Sequence, residues 1–233
     1  ADPEFAIKAK EGRADEINVC IACNQACLDH TFSLKRASCL VNPRACHETE
    51  IVDQPLTRKK KIAVVGAGPA GLAAATELAR RGHSVSLFDK AGEIGGQFNM
   101  AKQIPGKEEF HETISYFKRQ LELKNVEIRL NTVVNAELIS KEKFDEVILA
   151  TGIKPRTPGI EGIDHPKVMS YIDVLLHKKE VGQKVAVIGA GGIGFDVSEY
   201  LTHDFKHPSP TLDLESWKKE WGITFDPKNA GGI

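Results

Sequence analysis

Apolar runs and helical apolar stripes alternate along the middle of the chain. Residues 62–65 and 144–152 contain consecutive apolar residues, which is typical of parallel strands buried on both faces. Residues 84–88 are predicted to be the second strand. Residues 126–130 alternate as a half-buried strand does. An alanine-rich helix is predicted from Leu72 to Arg81, with Gly82 ending it. Another is predicted over 107–123, from an apolar stripe at Phe110, Ile114, Phe117 and Leu121.

This order of strands and helices predicts an α/β fold built on a Rossmann-like parallel sheet. The pattern begins again near the C-terminus, where residues 185–188 read as a strand and 195–201 as a helix. The second unit does not continue. It is followed by His207, Pro208, Ser209 and Pro210, then by a polar tract that carries Trp217 and Trp221. The sequence therefore predicts one incomplete nucleotide-binding fold followed by a truncated second one, which stops at Ile233 after Gly231 and Gly232.

The first strand runs into a glycine-rich turn with the pattern G-x-G-x-x-G. It reads Gly66, Ala67, Gly68, Pro69, Ala70, Gly71. In such turns the first glycine makes the bend, the second lets the backbone approach a pyrophosphate, and the third lets the helix pack on the strand. Asp89 follows the second strand, at the distance where a carboxylate accepts ribose hydroxyls. This context predicts a dinucleotide site.

Three further segments are candidates for contact with that nucleotide. Gly95 and Gly96 would let backbone run beside the ligand, with Gln97 as an amide partner, and a plain glycine turn is the alternative. Val133 and Val134 lie where backbone could meet an adenine. Ala150, Thr151 and Gly152 end a predicted strand, and ligands of open α/β sheets lie at the carboxyl ends of strands. A second G-x-G-x-x-G, with glycines at Gly189, Gly191 and Gly194, predicts a second nucleotide site.

Four of the five cysteines, Cys20, Cys23, Cys27 and Cys39, are spaced C-x2-C-x3-C-x11-C. Closely spaced thiolates are what an iron–sulfur cluster needs. Zinc and unligated structural cysteines are the alternatives, although zinc sites typically pair two C-x2-C knuckles and only one is present. Cys46 is expected to be a buried, inert thiol. His30 and His47 are expected to be ordinary hydrogen-bonded or surface histidines.

Composition narrows the class of protein. The chain has 233 residues, 41% hydrophobic and 27% charged, with a formal net charge of -1, so neither nucleic acid nor a membrane surface is an expected partner. No apolar run approaches the roughly 20 residues of a spanning helix, and the N-terminus lacks a signal-peptide pattern. A clustered, odd number of cysteines then indicates a metal site in a reducing cytoplasm. The basic run at 58–61 is expected to be a solvated face.

Several longer stretches make the chain similar to a known family. They are CIACNQACLDH, SCLVNPRACHE, VVGAGPAGLAAA, EIGGQFNMAKQIPGKEEF, ILATGIKPRTP and VAVIGAGGIGFD. They resemble the bacterial NADPH-dependent 2,4-dienoyl-CoA reductases, iron–sulfur flavoproteins related to trimethylamine dehydrogenase. The resemblance implies a parent enzyme of three parts: an N-terminal TIM barrel with FMN, a 4Fe–4S segment, and a pair of folds for FAD and NADPH. It also implies electron flow from NADPH to FAD, the cluster, FMN and a dienoyl-CoA of fatty acid β-oxidation.

Carried over by position, the resemblance assigns Cys20, Cys23, Cys27 and Cys39 to the cluster. It assigns Gly66, Gly68, Gly71, Asp89 and Gln97 to FAD, and Gly189, Gly191 and Gly194 to NADPH. The predicted division is a cloning scar at 1–5 (a natural start being the alternative), a cluster segment at 6–60, an incomplete FAD domain at 61–180 and a truncated NADPH domain at 181–233. No catalytic residue is assigned, because the barrel is absent, and the chain alone is expected not to reduce dienoyl-CoA.

Two other functions are kept beside this one. The first is an NADPH-oxidising electron-transfer subunit like the small subunit of glutamate synthase, a family that also has cysteines before a GAGPAGL turn. The second is a non-catalytic module that binds a cluster or a nucleotide. In either case a sheet that lacks strands exposes apolar edges, and self-association through such an edge is a further hypothesis.

Overall fold

A computed structural model describes residues 1–206, 210–224, 226 and 228. It confirms the α/β fold with a parallel four-stranded sheet. The strands are β1 (Lys61–Val65), β2 (Ser84–Phe88), β3 (Glu127–Arg129) and β4 (Glu146–Leu149), in the spatial order β3-β2-β1-β4. Val65 lies opposite Phe88 on one side and Leu149 on the other. The carboxyl ends of the two inner strands, β2 and β1, and of the edge strand β4 are therefore level with one another.

The helices alternate with these strands much as the apolar stripes predict. They are α1 (Phe5–Lys10), α2 (His30–Phe32), α3 (Pro69–Arg80), α4 (Phe98–Ala101), α5 (Glu109–Leu123), α6 (Ala136–Glu142), α7 (Tyr171–Leu175), α8 (Gly192–Thr202) and α9 (Leu214–Trp221). Single turns of other helix types lie at Ala14–Glu16, Gln25–Asp29 and Pro210–Leu212. Among the described residues, no helix combines the length and the apolar character that crossing a membrane requires.

The core lies where α3 and α5 cover β1 and β2. Val64, Leu72, Leu87 and Leu121 are fully buried there, and Phe117 of the predicted stripe packs against them. The C-terminal end of α3 is the predicted glycine stop. Gly82 has φ +94°, a conformation that glycine adopts without strain. Burial of the apolar stripe of α5, to which Phe117 and Leu121 belong, explains why the helix over 109–123 forms as predicted.

Strand β4 forms as predicted, but it is not buried on both faces as the sequence predicts. It is the edge of the described sheet, and Leu149 is 76% exposed. A continuous apolar run shows that a strand can be buried but not which other segment covers it. Self-association through this edge stays a prediction.

The first residues of the chain make well-defined contacts, although residues 1–5 are predicted to be a cloning scar. The Asp2 carboxylate accepts hydrogen bonds from the backbone N–H groups of Glu4, at 2.8 Å, and Asn18, at 2.7 Å. It also pairs with Lys8 at 2.8 Å, and the Asp2 side chain is only 4% exposed. Helix α1 begins at Phe5. The origin of these residues stays a prediction, but they belong to the folded structure.

The described residues form two units by their contacts, and the domain boundaries predicted from sequence stay a prediction. One unit is Ala1–Lys102 with Glu109–His165, and the other is Gln103–Glu108 with the described part of Pro166–Ile233. In the second unit Ile104, Val174 and Val197 are buried. Lys107 pairs with Asp196 of α8 at 2.6 Å. These contacts join the short segment 103–108 to α7 and α8.

The strand predicted at 185–188 is wrong for this structure. Those residues are not in a strand, and Ile188 is 76% exposed. No described strand runs beside them, and a β-strand is stable only when neighbouring strands satisfy its backbone hydrogen bonds. The helix after it is confirmed as α8.

The polar tract that carries both tryptophans is helical, which the sequence analysis did not anticipate. Asp213 caps α9 by accepting a hydrogen bond from the Ser216 N–H at 2.8 Å, and Gly222 ends the helix with φ +66°. The rings of Trp217 and Trp221 lie 6.4 Å apart on this helix. His207, Pro208 and Ser209, and the terminal Gly231, Gly232 and Ile233, lie outside the described residues.

Candidate functional site

The turn after β1 has a geometry that only glycine allows at two of its three motif positions. Gly66 has φ +110°, and a Cβ there would lie 2.2 Å from the carbonyl oxygen of Ala150. A Cβ at Gly71 would lie 1.7 Å from the carbonyl oxygen of Gly66. A Cβ at Gly68 would meet only the Cα of Gly96, at 3.9 Å. The first and third glycines therefore hold strand and helix together, whereas the second faces open space.

That open space is a cavity of ≈ 420 Å³ at the carboxyl ends of β1, β2 and β4, within the range of small-molecule sites. Its lining comes from the turn after β1, the end of β2, the loop before α4 and the segment after β4: Gly66, Gly68, Pro69, Ala70, Asp89, Gly96, Gln97, Leu149, Ala150, Thr151, Gly152 and Ile153. Nine of the eleven residues predicted for the first cofactor site line this cavity.

Two of the predicted residues lie elsewhere, and two lining residues were missed. Gly71 packs under the turn, and Val134 is half-buried outside the cavity lining. Leu149 and Ile153 line the cavity without having been predicted. Both flank the predicted segment 150–152, so the rule that ligands lie at strand ends could have included them.

Backbone groups dominate the electrostatics of the cavity. Helix α3 begins at Pro69 beside it, and Gly68 provides no side chain to cap the first N–H groups. The N-terminus of a helix carries about half a positive charge and binds anions through these N–H groups. None of the described residues that line the cavity is a lysine or an arginine. A diphosphate would therefore be held by N–H groups and the helix dipole.

Asp89 connects the second strand to the glycine turn. Its Oδ2 accepts a hydrogen bond from the Ala67 N–H at 2.6 Å, and its Oδ1 accepts one from the Ala91 N–H at 2.8 Å. A carboxylate oxygen can accept two hydrogen bonds, so each oxygen keeps capacity for a hydroxyl of a ligand in the cavity. The residues present thus fit a dinucleotide whose ribose lies at Asp89 and whose phosphates lie at α3.

We expect Asp89→Asn to weaken binding of FAD, the dinucleotide that the resemblance implies, and to destabilise the fold. One amide hydrogen would face a backbone N–H, so the variant should lose about 1–3 kcal/mol of unfolding free energy and roughly tenfold or more in FAD affinity. Flavin fluorescence titration and urea unfolding measure the two effects. The exposed Asp164, changed to asparagine, is the control. Unchanged FAD affinity in Asp89→Asn would contradict the assignment.

The loop before α4 is packed directly on the glycine turn. The Gly95 N–H donates to the Ala67 carbonyl at 2.8 Å, and a Cβ at Gly96 would lie 2.8 Å from the Cα of Gly68. Asn99, which sequence reasoning missed, is buried and donates to the Ile94 carbonyl at 2.9 Å. These contacts favour a role beside the ligand over a plain glycine turn. The signal for Asn99 would have been a polar residue at the start of a short apolar helix.

The second glycine turn has the backbone geometry of the first. Gly189 has φ +116°, close to the +110° of Gly66. Gly191 caps α8 with φ −87° and ψ −180°, as Gly68 caps α3 with φ −78° and ψ −179°. A Cβ at Gly194 would lie 2.0 Å from the Gly189 carbonyl oxygen. The predicted strand before it is missing, yet the turn keeps the shape of a phosphate-binding loop. Its nucleotide stays a prediction.

The four predicted cluster ligands line one small cavity. Cys20, Cys23, Cys27 and Cys39 share this lining with Ile21, Asn24, Ala26, Leu40 and Val41. All four thiols are free. Left-handed backbone at Ala22 and Asn24 turns the chain sharply between the first three cysteines. The Ala22 N–H lies 3.4 Å from the Cys20 Sγ, to which it donates a hydrogen bond.

The chemistry of this donor set, four thiolates, fits an iron–sulfur cluster and also zinc. Within the parts of the chain that are described, no three His, Cys, Asp or Glu side chains form a group that could hold a metal ion. The 4Fe–4S cluster stays a prediction, with zinc as its alternative.

The other candidates in this segment have ordinary roles. His30 Nδ1 lies 3.0 Å from the Arg36 carbonyl oxygen, and His47 Nδ1 lies 2.9 Å from Glu50, which confirms the expectation of hydrogen-bonded histidines. His47 and Arg36 hold the pKa of the Glu50 carboxyl below its ordinary value. The expectation of a buried Cys46 is wrong, because this thiol is exposed. Cys46 has φ +62°, in the left-handed region.

Comparison with known proteins gives a family match and several similar proteins. The family described as pyridine nucleotide-disulphide oxidoreductase matches residues 60–208. A metal reductase of Desulforamulus reducens is 37% identical over 220 residues, which cover 93% of this chain and 32% of that protein. An NADH oxidase of Thermoanaerobacter brockii is 41% identical over 209 residues, which cover 86% of this chain and 32% of the relative.

A solved structure of similar fold is 2-naphthoyl-CoA reductase in complex with 2-naphthoyl-CoA. It matches with a TM-score of 0.84 and 39% identity, over 86% of this chain and 31% of that protein. The match extends over more of the chain than residues 60–208 alone. The chain spans about a third of the length of the relatives it matches.

Proposed function

Because the chain belongs to the pyridine nucleotide-disulphide oxidoreductase family, we propose that it is the FAD- and cluster-binding part of an NADPH-dependent reductase. Its family implies binding of flavin and pyridine nucleotide. One observation carries the proposal. The same structural unit contains a phosphate-binding turn with its ribose-facing carboxylate and a cavity lined by four free cysteines. Electrons would pass from NADPH to FAD, to a 4Fe–4S cluster and on to FMN.

The residues of this chain divide the binding of FAD among them. The first-turn N–H groups of α3 would hold the diphosphate, and the absence of a Cβ at Gly68 would let it approach. Asp89 would accept hydrogen bonds from the ribose hydroxyls, and it accepts one from the Ala67 N–H that keeps the turn in its shape. The backbone of 150–152 closes the side of the cavity that faces β4. Bound FAD supplies the conversion of a two-electron hydride into single electrons.

The thiolates of Cys20, Cys23, Cys27 and Cys39 would hold the cluster. Cys23 and Cys39 are half-buried, whereas Cys20 and Cys27 are exposed. Apolar residues such as Ala26, buried at the cavity wall, exclude water from the inner side. The second glycine turn would bind the diphosphate of NADPH in the same way as the first binds FAD. Because one relative is an NADH oxidase, both NADPH and NADH should be tested as donors.

The finer proposal for the whole protein is reduction of a 2,4-dienoyl-CoA in β-oxidation of unsaturated fatty acids, in the cytoplasm. The sequence resemblance supports it, and so does similarity to 2-naphthoyl-CoA reductase, which also acts on a CoA thioester. FMN and the residues that protonate the substrate would lie outside these residues, in a barrel of the parent enzyme. We therefore expect the chain by itself not to reduce dienoyl-CoA.

The similarities favour this proposal over the two alternatives. The metal reductase and the NADH oxidase that match are about three times the length of this chain, which supports a part of a larger enzyme over a separate electron-transfer subunit. A non-catalytic module would bind a cofactor without accepting electrons from any hydride donor. Anaerobic reduction of bound FAD by NADPH or NADH in the parent enzyme would exclude that alternative.

An anaerobic absorbance spectrum with iron and sulfide analysis tests the proposal on the chain itself. We expect a broad shoulder near 400 nm with about four irons and four sulfides per chain. Flavin bands should appear on titration with FAD. Zinc in place of iron, or a chain that takes up FAD but no metal, would contradict the cluster assignment. Iron without flavin bands would contradict the FAD assignment.

A further inference from the structure

The segment that carries the cysteines is attached to the sheet-bearing part of its unit by ion pairs at both ends. Before the cysteines, Arg119 of α5 lies 2.9 Å from Asp15 and 3.7 Å from Glu16. After them, the Asp53 carboxylate accepts two hydrogen bonds from the Arg80 guanidinium on α3, at 2.8 and 2.7 Å. The second attachment has the two parallel hydrogen bonds of a bidentate pair, the strongest geometry for arginine and carboxylate.

The two ends of the cysteine loop are joined to each other, so both attachments hold the whole loop. Asn18, two residues before Cys20, donates from its side chain to the Val41 carbonyl at 2.7 Å. Val41 lies two residues after Cys39. The first part of the loop is linked further to Asp2 through the Asn18 N–H. A displacement at either end would thus carry all four cysteines with it.

The covalent connection cannot replace the Asp53 attachment. Residues 48–59 are exposed and form neither helix nor strand, so side-chain contacts, and not secondary structure, fix the path of the chain between the cysteine loop and β1. Asp53 lies in this stretch and binds Arg44 on the cysteine side as well as Arg80 on α3. The guanidinium group of Arg80, and to a smaller extent that of Arg44, holds the pKa of the Asp53 carboxyl well below its ordinary value.

Helix α3 connects this attachment to the cofactor site. Its N-terminus lines the dinucleotide cavity, and its C-terminal residue Arg80 holds Asp53. A helix of 12 residues buried against the sheet is rigid, so the position of Asp53 is defined relative to the same element that binds the diphosphate. The rate of electron transfer falls steeply with the distance between donor and acceptor, so this relation matters for function.

We propose that Asp53 and Arg80 are positioning residues that set the separation of FAD and the cluster. The inference rests on the proposed function. It requires no further cofactor: reduced FAD loses one electron and the oxidised cluster gains it. Exposed ion pairs such as those that Asp53 makes with Arg80 and Arg44 contribute little to the stability of the whole fold. Their loss should therefore release the cysteine segment without unfolding the sheet.

The test is flash reduction of FAD in the loaded chain by photoexcited deazaflavin with EDTA as the electron source, followed by the bleaching of cluster absorbance. Asp53→Asn should slow cluster reduction about tenfold, because small misplacements of reacting groups have effects of at least this size. Iron content and FAD affinity should stay unchanged, and Asp53→Glu should restore most of the rate. Hydrogen exchange of the metal-free chain should increase over 15–53 and not over the strands.

A matched control and a salt titration make the outcomes distinct. Arg58 forms an ion pair with Asp145 at a distance of 2.6 Å. This pair does not involve the cysteine loop, so Arg58→Gln should leave cluster reduction unchanged. Raising ionic strength to about 1 M, where charges are screened beyond about 3 Å, should slow the wild-type chain toward the Asp53→Asn rate. Cluster reduction at the wild-type rate in Asp53→Asn, or loss of its iron, would overturn the proposal. Absence of cluster reduction in the wild-type chain would instead refute the proposed function.

Discussion

Alanine at Gly71 is expected to unfold the sheet-bearing unit, whereas alanine at Gly68 is expected to leave it folded and to weaken FAD binding strongly. The difference follows from where each Cβ would lie. At Gly71 it would overlap the Gly66 carbonyl oxygen at 1.7 Å, and at Gly68 it would project into the open cavity. Backbone cannot yield as a flexible side chain does, so Gly71→Ala should lose more than about 3 kcal/mol of unfolding free energy.

The Gly68 variant separates binding from folding. Its methyl group would occupy the place of the diphosphate and interrupt charge-assisted hydrogen bonds, each worth about 1.5–3 kcal/mol. FAD affinity should therefore fall about 100-fold or more, with the urea midpoint little changed. Gly159 has open space around it and an ordinary backbone angle, so Gly159→Ala is the matched control for both measurements. Wild-type FAD affinity in Gly68→Ala would show that the cavity binds something else.

Serine at any one of Cys20, Cys23, Cys27 or Cys39 is expected to remove most of the iron. A hydroxyl is far less acidic than a thiol and a poorer ligand for iron, so three thiolates would be left to hold a cluster that needs four. Iron content should fall from about four to less than about one per chain after anaerobic reconstitution, with loss of the absorbance near 400 nm.

The fifth cysteine provides the internal control for this series. Cys46 is exposed and absent from the lining of the cysteine cavity. Cys46→Ser should therefore keep its full iron content and spectrum. If Cys46→Ser lost iron while one of the other four variants kept it, the ligand set would be misassigned. FAD titration of every variant reports whether the dinucleotide cavity remains intact.

The unit from β1 to β2 could be predicted almost completely, because its determinants are local. The apolar run, the glycine turn, the alanine-rich helix and Gly82 follow one another in sequence, and each depends on neighbours a few residues away. Even the roles of Gly66 and Gly71 agree with the observed close contacts. The same local signal failed at 185–188. A strand requires partners, and among the described residues no strand lies beside that run.

Exposure was the property that local patterns predicted least well. Cys46 was expected to be buried and is exposed, and Leu149 ends an apolar run yet is 76% exposed. Helix α9 was not predicted, although its Asp213 cap and Gly222 stop are local signals present in the sequence. Burial depends on which segments meet in space, and the order of residues alone does not specify that.

The sequence by itself determined the kind of fold, the two glycine turns, the spacing of the four cysteines and the carboxylate at the end of β2. These features depend on residue type and short spacing. Only the tertiary structure decided that 66–71, 89, 96–97 and 149–153 enclose one cavity, and that the four cysteines share another. It also decided that Asp53 binds Arg80, which lies 27 positions further along the chain. Such contacts arise when the packing of helices on a sheet brings distant segments together, and no local pattern records them.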